Sequence, residues 1–360
     1  MKVAVVYNKD RKGFINVFGS QNREWYPEAT IQKVVKALES GNHNVELIPA
    51  DRYLLSKLNK FLPKLSKRRP NGIVMNLSLG VQGKCRYTHV PSILEIAGIP
   101  YTGSSPMGHT LAQDKVITKQ ILQASNLPTP NYRVYMSQEL DAPFLNFPVI
   151  VKPRGEAASF GLRVVHDTPA LEEAVTEIIE EYKQPALVEE FIEGREINVS
   201  ILGNRPPSPL PVLELILEGG PSDIYTHDVK FNLAPGNNVK KVCPADLPPE
   251  TAAYAQKLAV QTFEALDIYD YGRVDFRLDQ YNQPHILEMN SMASINPHSS
   301  FVTAAGKAGL TYNQLINRII DVSIQRYAIE EPGYFSALDI SAKDIQIKTF
   351  HPRGGKYVDS

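Results

Sequence analysis

A chain of 360 residues with 43% hydrophobic and 9% aromatic content can bury a sizeable core, and its length suits two or three domains. Lys and Arg number 38 against 39 Asp and Glu, so the net charge of -1 provides no field to recruit nucleic acid or an anionic membrane, and any phosphate site must be local. The two cysteines, Cys85 and Cys243, fit neither a disulfide framework nor a zinc spacing; they read as reduced, buried thiols of a cytoplasmic protein.

Residues 2–7 are a short β-branched run that predicts a first strand. No basic leader precedes it, and no stretch nears the eighteen or so apolar residues of a membrane span, so a soluble, unprocessed protein with no membrane partner is expected. Ile31, Val34, Val35 and Leu38 fall at i, i+3, i+4 and i+7 on a helix ending near Gly41, and 44–49 reads as a second strand. Helical periodicity over 54–65 runs into a basic stretch at 64–69, read as a solvated helix end, and 72–77 is a third apolar strand. Strands separated by helices imply a doubly wound parallel sheet. Residues 1–103 are therefore expected to form an α/β domain that meets ligands at the carboxyl ends of its strands, near 7–10 and 76–80.

From Ser104 the pattern changes to helices at 106–113 and 116–125, closed by Leu127-Pro128-Thr129-Pro130. A strand at 147–152, a small-residue loop at 155–161, a returning strand at 162–165, a helix at 169–182 opened by Thr168 and a strand at 186–191 follow. This α+β unit defines a central domain, 104–190. Antiparallel strands at 196–202, 212–217, 272–278 and 284–289, with helices at 249–266 and 312–326, make a third domain, 191–327. An irregular stretch at 219–248 interrupts it and reads as a functional lid, and 328–360 as a surface extension.

The strongest chemical signal is the strand pair Arg273-Val-Asp275-Phe-Arg277 and Leu287-Glu288-Met-Asn290. Alternation puts Arg273, Asp275 and Arg277 on one face, with Glu288 and Asn290 on one face of the neighbouring strand. Asp275, Glu288 and Asn290 then supply three hard oxygen ligands suited to magnesium, with positions left for phosphate oxygens and water. Asp275 alone fits a solvated sheet face equally well; Glu288-x-Asn290 beside it favours the metal. A second group is basic: Lys152 ends a buried strand and leads into Pro153-Arg-Gly155-Glu-Ala-Ala-Ser159-Phe-Gly161, whose small residues can bring backbone N–H groups against phosphate. It has neither the Walker nor the dinucleotide spacing, so by itself it is a hairpin loop. Lys115, in Gln113-Asp-Lys115, stands at a helix start, where an anion is favoured; otherwise it is a solvated lysine.

The ordered series Tyr101-Thr-Gly-Ser, Asp114-Lys115-x-x-x-Lys119, Pro148-Val-Ile-Val-Lys152-Pro, Val188-Glu189-Glu190-Phe191-Ile192-x-Gly194-x-Glu196, Arg273-x-Asp275 and Leu287-Glu288-x-Asn290 resembles the ATP-grasp D-alanine–D-alanine ligases over nearly all of residues 70–325. The resemblance implies an enzyme, a carbon–nitrogen bond-forming ligase of three-domain ATP-grasp fold, mixing α/β and α+β, its N-terminal domain a doubly wound parallel sheet. It implies ATP, two magnesium ions for which manganese can substitute, small-molecule substrates and a homodimer. Lys115, Lys152 and the loop with Ser159 would hold phosphates, Glu189, Glu190 and Ile192 would meet adenine, and Glu196 would bind ribose. Lys230, on a closing loop, would reach the γ-phosphate, and Arg273 would stabilise the oxyanion of the addition intermediate. Ser299 and Ser300, preceded by Ala293-Ser294, would bind the carboxylate of the attacking amino acid.

The departures are also informative. The family's GGxSxExxVS segment, whose glutamate holds the first substrate's ammonium, is not found; Ala158 stands where a loop serine is usual, Phe231 follows Lys230 in place of tyrosine, and 76–83 replaces HGxxGEDG. A buried ammonium without a carboxylate is costly, so a different electrophile is expected. These features resemble the mycosporine-glycine amine ligases, which attach an amino acid such as threonine or serine to a cyclohexenone and form an imine. A dipeptide ligase and an inactive nucleotide-binding regulator are the alternatives, the latter disfavoured by intact metal ligands and phosphate lysines.

Overall fold

The computed structural model describes residues 1–8, 16, 22–63, 71–140, 146–217 and 239–330. Strands β1 (Lys2–Tyr7), β2 (Asn44–Pro49) and β3 (Gly72–Asn76) form a parallel sheet in the order β2-β1-β3, with Val3 opposite both Val45 and Ile73. The parallel pairing requires crossovers, supplied by α1 (Glu28–Ser40) and α2 (Leu54–Phe61). Alternation along β1 divides its side chains between two cores. Val3 and Val5 pack with Ile31 and Leu38 of α1, while Ala4 and Val6 pack with Leu58 of α2 and Leu94 of α3 (His89–Ala97). The sheet is thereby covered on both faces, as a doubly wound arrangement demands.

Helices α4 (Pro106–Gln113) and α5 (Lys115–Ala124) follow, each started by its own cap: Ser105 Oγ accepts from Gly108 N at 3.2 Å, and Asp114 Oδ1 accepts from Val116 N and Ile117 N at 3.1 Å. Strands β4 (Tyr132–Tyr135), β5 (Val149–Pro153), β6 (Arg163–Val165) and β7 (Ala186–Glu190) make an antiparallel sheet ordered β4-β7-β5-β6, covered by α6 (Thr168–Glu177) through Leu171 and Val175. The cap of α6 is Asp167, which accepts from Ala170 N at 2.9 Å, and not Thr168; both types cap well, and the one whose oxygen reaches the third N–H wins. A π turn, Ile178–Tyr182, completes what the sequence reads as one helix to 182.

The third sheet runs β11-β10-β8-β12-β13, from β8 (Arg195–Leu202), β10 (Leu213–Leu217), β11 (Val239–Val242), β12 (Tyr271–Leu278) and β13 (Pro284–Asn290), with the two-residue β9 (Ser208–Pro209) on β8. Helix α7 (Pro249–Ala265) covers one face through Leu258, Ala259 and Phe263. The predicted lid needs correction at its end, because Val239–Val242 is a strand antiparallel to β10. Residues 219–238 of that lid, including Lys230 and Phe231, lie outside the described residues, as do the basic run 64–69 and the extension from 331. Cys243 is buried as expected, but Cys85 is exposed, just ahead of a short 3-10 turn.

Helices α8 (Ser300–Lys307) and α9 (Tyr312–Glu330) return to the first sheet, and Phe301, Ile316 and Ile320 share one core with Val5, Ile31 and Ile73. A buried ion pair seals that return. Arg326 Nη2 meets Asp270 Oδ2 at 3.0 Å and donates to Tyr101 O at 2.9 Å, while Gly103 N donates to the same Asp270 oxygen at 2.8 Å. No helix among the described residues is long and apolar enough to cross a membrane.

Candidate active site

The register of the third sheet assembles a polar face. Asp275 lies opposite Glu288 on one side and Asn198 on the other, Arg273 opposite Asn290, and Arg277 opposite Glu196. Arg273 grips Asp275 in a fork, Nε to Oδ1 at 2.5 Å and Nη2 to Oδ2 at 2.6 Å. Asn290 Nδ2 donates to Asp275 Oδ2 at 2.9 Å and reaches Glu288 Oε1 at 3.5 Å. Two carboxylates thus flank one carboxamide, whose N–H group faces both; the Asp275 and Glu288 oxygens, joined by the Asn290 carbonyl once that amide turns over, are the hard ligands a magnesium ion would take. Among the described residues no cluster of three His, Cys, Asp or Glu side chains is gathered for a metal. Burial pushes the Glu196 carboxyl up to about 7; Arg277 opposes this from 3.8 Å, and the charges of Asp275 and Glu288 reinforce it.

The cations stand across from this face. Lys115 opens α5, donates to Glu156 O and places Nζ 3.8 Å from Glu288 Oε2. Burial lowers its pKa, Glu288 works against that, and the Lys152 ammonium adds to it. Behind lies a fully buried group. Glu189 Oε2 meets Lys152 Nζ at 2.8 Å and its Oε1 meets Lys119 Nζ at 3.0 Å, while Lys119 also donates to Thr129 Oγ1 at 2.7 Å. Burial works to raise the Glu189 carboxyl, but the two ammoniums outweigh it and the net shift is downward. Lys119 is pushed down to about 8 by burial, against the pull of Glu189. The small-residue loop turns sharply at Ala158 and Ser159, both left-handed at φ 56° and 59°. Gln184 anchors its start, Oε1 accepting from Gly155 N at 2.8 Å and Nε2 donating to Glu156 Oε1 at 2.6 Å.

These groups border a cleft open to solvent. Arg273, Glu288, Asn290 and Ser294 line it from the third sheet and the turn after it, Lys115 from α5, and residues 155–158 from the loop. Lys152 and Asp275 sit one layer behind, held by Glu189 and by Arg273. Ser159, Glu189, Glu190, Ile192 and Glu196 do not line this cleft: Glu190 is exposed and accepts from Asn131 Nδ2 at 3.1 Å, and Ile192 is buried. Ser299 and Ser300 are also absent from it. Ser299 is the N-cap of α8, accepting from Val302 N at 3.3 Å, and Ser300 is buried in the first turn.

The far wall corrects the expectation that no N-terminal carboxylate faces the site. Glu24 and Tyr87 line the same cleft, and Tyr87 OH donates to Glu24 Oε2 at 2.7 Å. Burial, then the charge of Glu24, raises the Tyr87 phenol well above its ordinary value, so it stays a donor. Glu24 precedes α1 in a segment without regular structure, where periodicity gives no sign of direction. A carboxylate just ahead of an amphipathic helix was the available signal.

Residues 121–321 match the family model for the D-ala D-ala ligase C-terminus. An uncharacterized protein of Sinorhizobium fredii, y4sG, is 44% identical over 91% of this chain and 98% of its own length. The D-alanine–D-alanine ligase of Carboxydothermus hydrogenoformans is 31% identical over 81% of this chain and 91% of its own. In three dimensions the chain superposes on the D-alanine–D-alanine ligase of Bacillus anthracis complexed with ATP, with a TM-score of 0.70 at 21% identity, covering 92% of this chain and 99% of that one, which establishes a shared fold. The chain belongs to the D-alanine–D-alanine ligase family and is an ATP-grasp, carbon–nitrogen bond-forming ligase.

Proposed function

We propose that the cleft joins two amino acids at the expense of ATP, and that the first of them is held by its ammonium at Glu24. The observation that carries this reading is the presence of Glu24 on the same wall-to-wall space as Lys115 and Glu288. A carboxylate oxygen of the first substrate attacks the γ-phosphorus, the bond to ADP breaks, and an acyl phosphate forms. The amine of the second substrate then attacks the acyl carbon, inorganic phosphate leaves, and the nitrogen gives up a proton.

Lys115 and Lys152 hold phosphate oxygens, and the loop at Ser159 covers them. The family resemblance assigns Glu189, Glu190 and Ile192 to adenine and Glu196 to ribose, with the base and sugar beyond the described cleft, and it assigns Lys230, outside the described residues, to the γ-phosphate. Asp275, Glu288 and Asn290 would hold magnesium, two ions or manganese in their place, which neutralises charge on the phosphates. Arg273 lets go of Asp275 to stabilise the oxyanion of the addition intermediate. Ser294, which lines the cleft, orients the second amino acid. The sequence pattern and the family resemblance give three domains bounded near 103 and 190, and the resemblance a homodimer, read by light scattering.

Attachment of an L-amino acid to mycosporine-glycine is the second reading. It loses the missing-carboxylate argument to Glu24, and keeps the loop methyl of Ala158, which lines the cleft where a hydroxyl is usual. Phosphate release is measured with magnesium ATP and D-alanine, L-amino acids, or mycosporine-glycine with L-threonine. Turnover with an amino acid alone, abolished in Glu24→Gln, supports the first reading. Turnover only with mycosporine-glycine, with a shift in ultraviolet absorbance, overturns it.

A further inference from the structure

Arg86 lies where the wall bearing Glu24 meets the small-residue loop. The side chain is 2% exposed, and its Nη2 stands 3.4 Å from Glu24 Oε2 and 3.7 Å from Glu156 Oε2. Nη1 donates to Gly155 O at 3.4 Å, and to the Gln113 carboxamide oxygen at 3.2 Å once that amide is turned to suit its neighbours. One buried guanidinium thus ties three cleft-lining pieces: the N-terminal wall, the loop and the end of α4. Its backbone is fixed from below by Gly80, whose φ of 72° and contact with Arg86 O leave no room for a side chain. Arg23 repeats the tie next door, its guanidinium 5.3 Å from the Phe160 ring and 5.2 Å from the Tyr182 ring.

We infer that Arg86 is a positioning residue that docks the 155–161 loop against the Glu24 wall and so shapes the first-substrate pocket. The inference rests on the reading of Glu24 as the ammonium contact. Two carboxylates from different parts of the chain share one desolvated cation, so removing it leaves like charges facing each other across the seam that must stay shut. Glu24 takes its contacts from Arg86 and Tyr87 on Oε2, so its other oxygen is the one available to a substrate ammonium. Lysine keeps the charge but cannot span both carboxylates and Gly155 O at once.

The test compares wild type, Arg86→Met, Arg86→Lys and Glu156→Gln by backbone hydrogen exchange and by steady-state kinetics with D-alanine and magnesium ATP as probes. In Arg86→Met, exchange over 155–161 is expected to quicken at least tenfold while α7 is unchanged. KM for D-alanine rises at least tenfold and KM for ATP stays within twofold, with Arg86→Lys restoring part of both. Loop exchange within twofold of wild type overturns the inference, as does an equal rise in both KM values. If Arg86→Met does not fold, Arg86→Lys and Glu156→Gln each remove one arm and are expected to quicken loop exchange several-fold; no change in either overturns it. If wild type does not turn over D-alanine, that substrate reading fails, and the exchange data decide on Arg86 independently.

Discussion

The Lys115 ammonium and Glu288 Oε2 are 3.8 Å apart, which brings the cationic and the carboxylate sides of the cleft within one ion pair of each other. A ligand carrying phosphate and a divalent cation must separate that pair, exchanging each partner for a stronger one. Glu288→Gln is expected to cut turnover by about 100-fold or more, as loss of a metal ligand does, with thermal stability close to wild type. Full activity in that variant would remove the metal assignment.

Asp275 is gripped by Arg273 in the structure, so cation binding competes with an existing fork. Magnesium with a non-hydrolysable ATP analogue is expected to stabilise wild type by about 2.7 kcal/mol at a hundred times Kd. Asp275→Asn should lose most of that gain. Differential scanning fluorimetry with and without magnesium reads the difference, and equal shifts would argue against Asp275 as a ligand.

Glu189 holds two buried ammoniums at once, so Glu189→Gln leaves both without a charge partner. A cost of about 3–5 kcal/mol is expected in urea unfolding. Adding Lys119→Met to that background removes one of the stranded charges, so the double variant is expected to be more stable than Glu189→Gln alone. A simple sum of the two single losses would show that the three groups do not act together.

His109 is fully buried beside the cleft, its Nδ1 2.9 Å from Ser291 Oγ, and burial pushes its pKa down to about 3. With the folded value depressed, its contribution is present in full above about 6.5 and is lost as pH falls toward 3. Between pH 7.5 and 5 this group removes about 2 kcal/mol from folding stability. His109→Asn is expected to flatten that part of the pH profile, measured by denaturant melts. An unchanged slope would place the acid sensitivity elsewhere.

Much of this architecture can be read from residue spacing alone. The alternation of Val3 and Val5 against Ala4 and Val6 already describes a sheet covered on both faces, and Arg273-x-Asp275 beside Glu288-x-Asn290 describes a shared strand face. What escapes is set by the tertiary structure. Glu24 sits in a segment with no period, and its direction is fixed by Tyr87 and Arg86, more than sixty positions away. Ser299 reads as a ligand contact but caps a helix, because a serine three residues before a free N–H satisfies the backbone first. Val239–Val242 is too short to announce itself and becomes a strand only by pairing with β10.

The core that joins Val5 and Ile31 to Ile316 and Ile320 has a consequence for biosynthesis. The α1 side of the first sheet leaves the ribosome with its core only partly filled, and it is completed when the segment some three hundred positions later emerges. Its early strands must wait, exposed to chaperones, for the last helix to arrive. Fragments ending before residue 311 should therefore accumulate as aggregates, while nascent chains stalled beyond residue 330 become resistant to protease across both ends at the same moment.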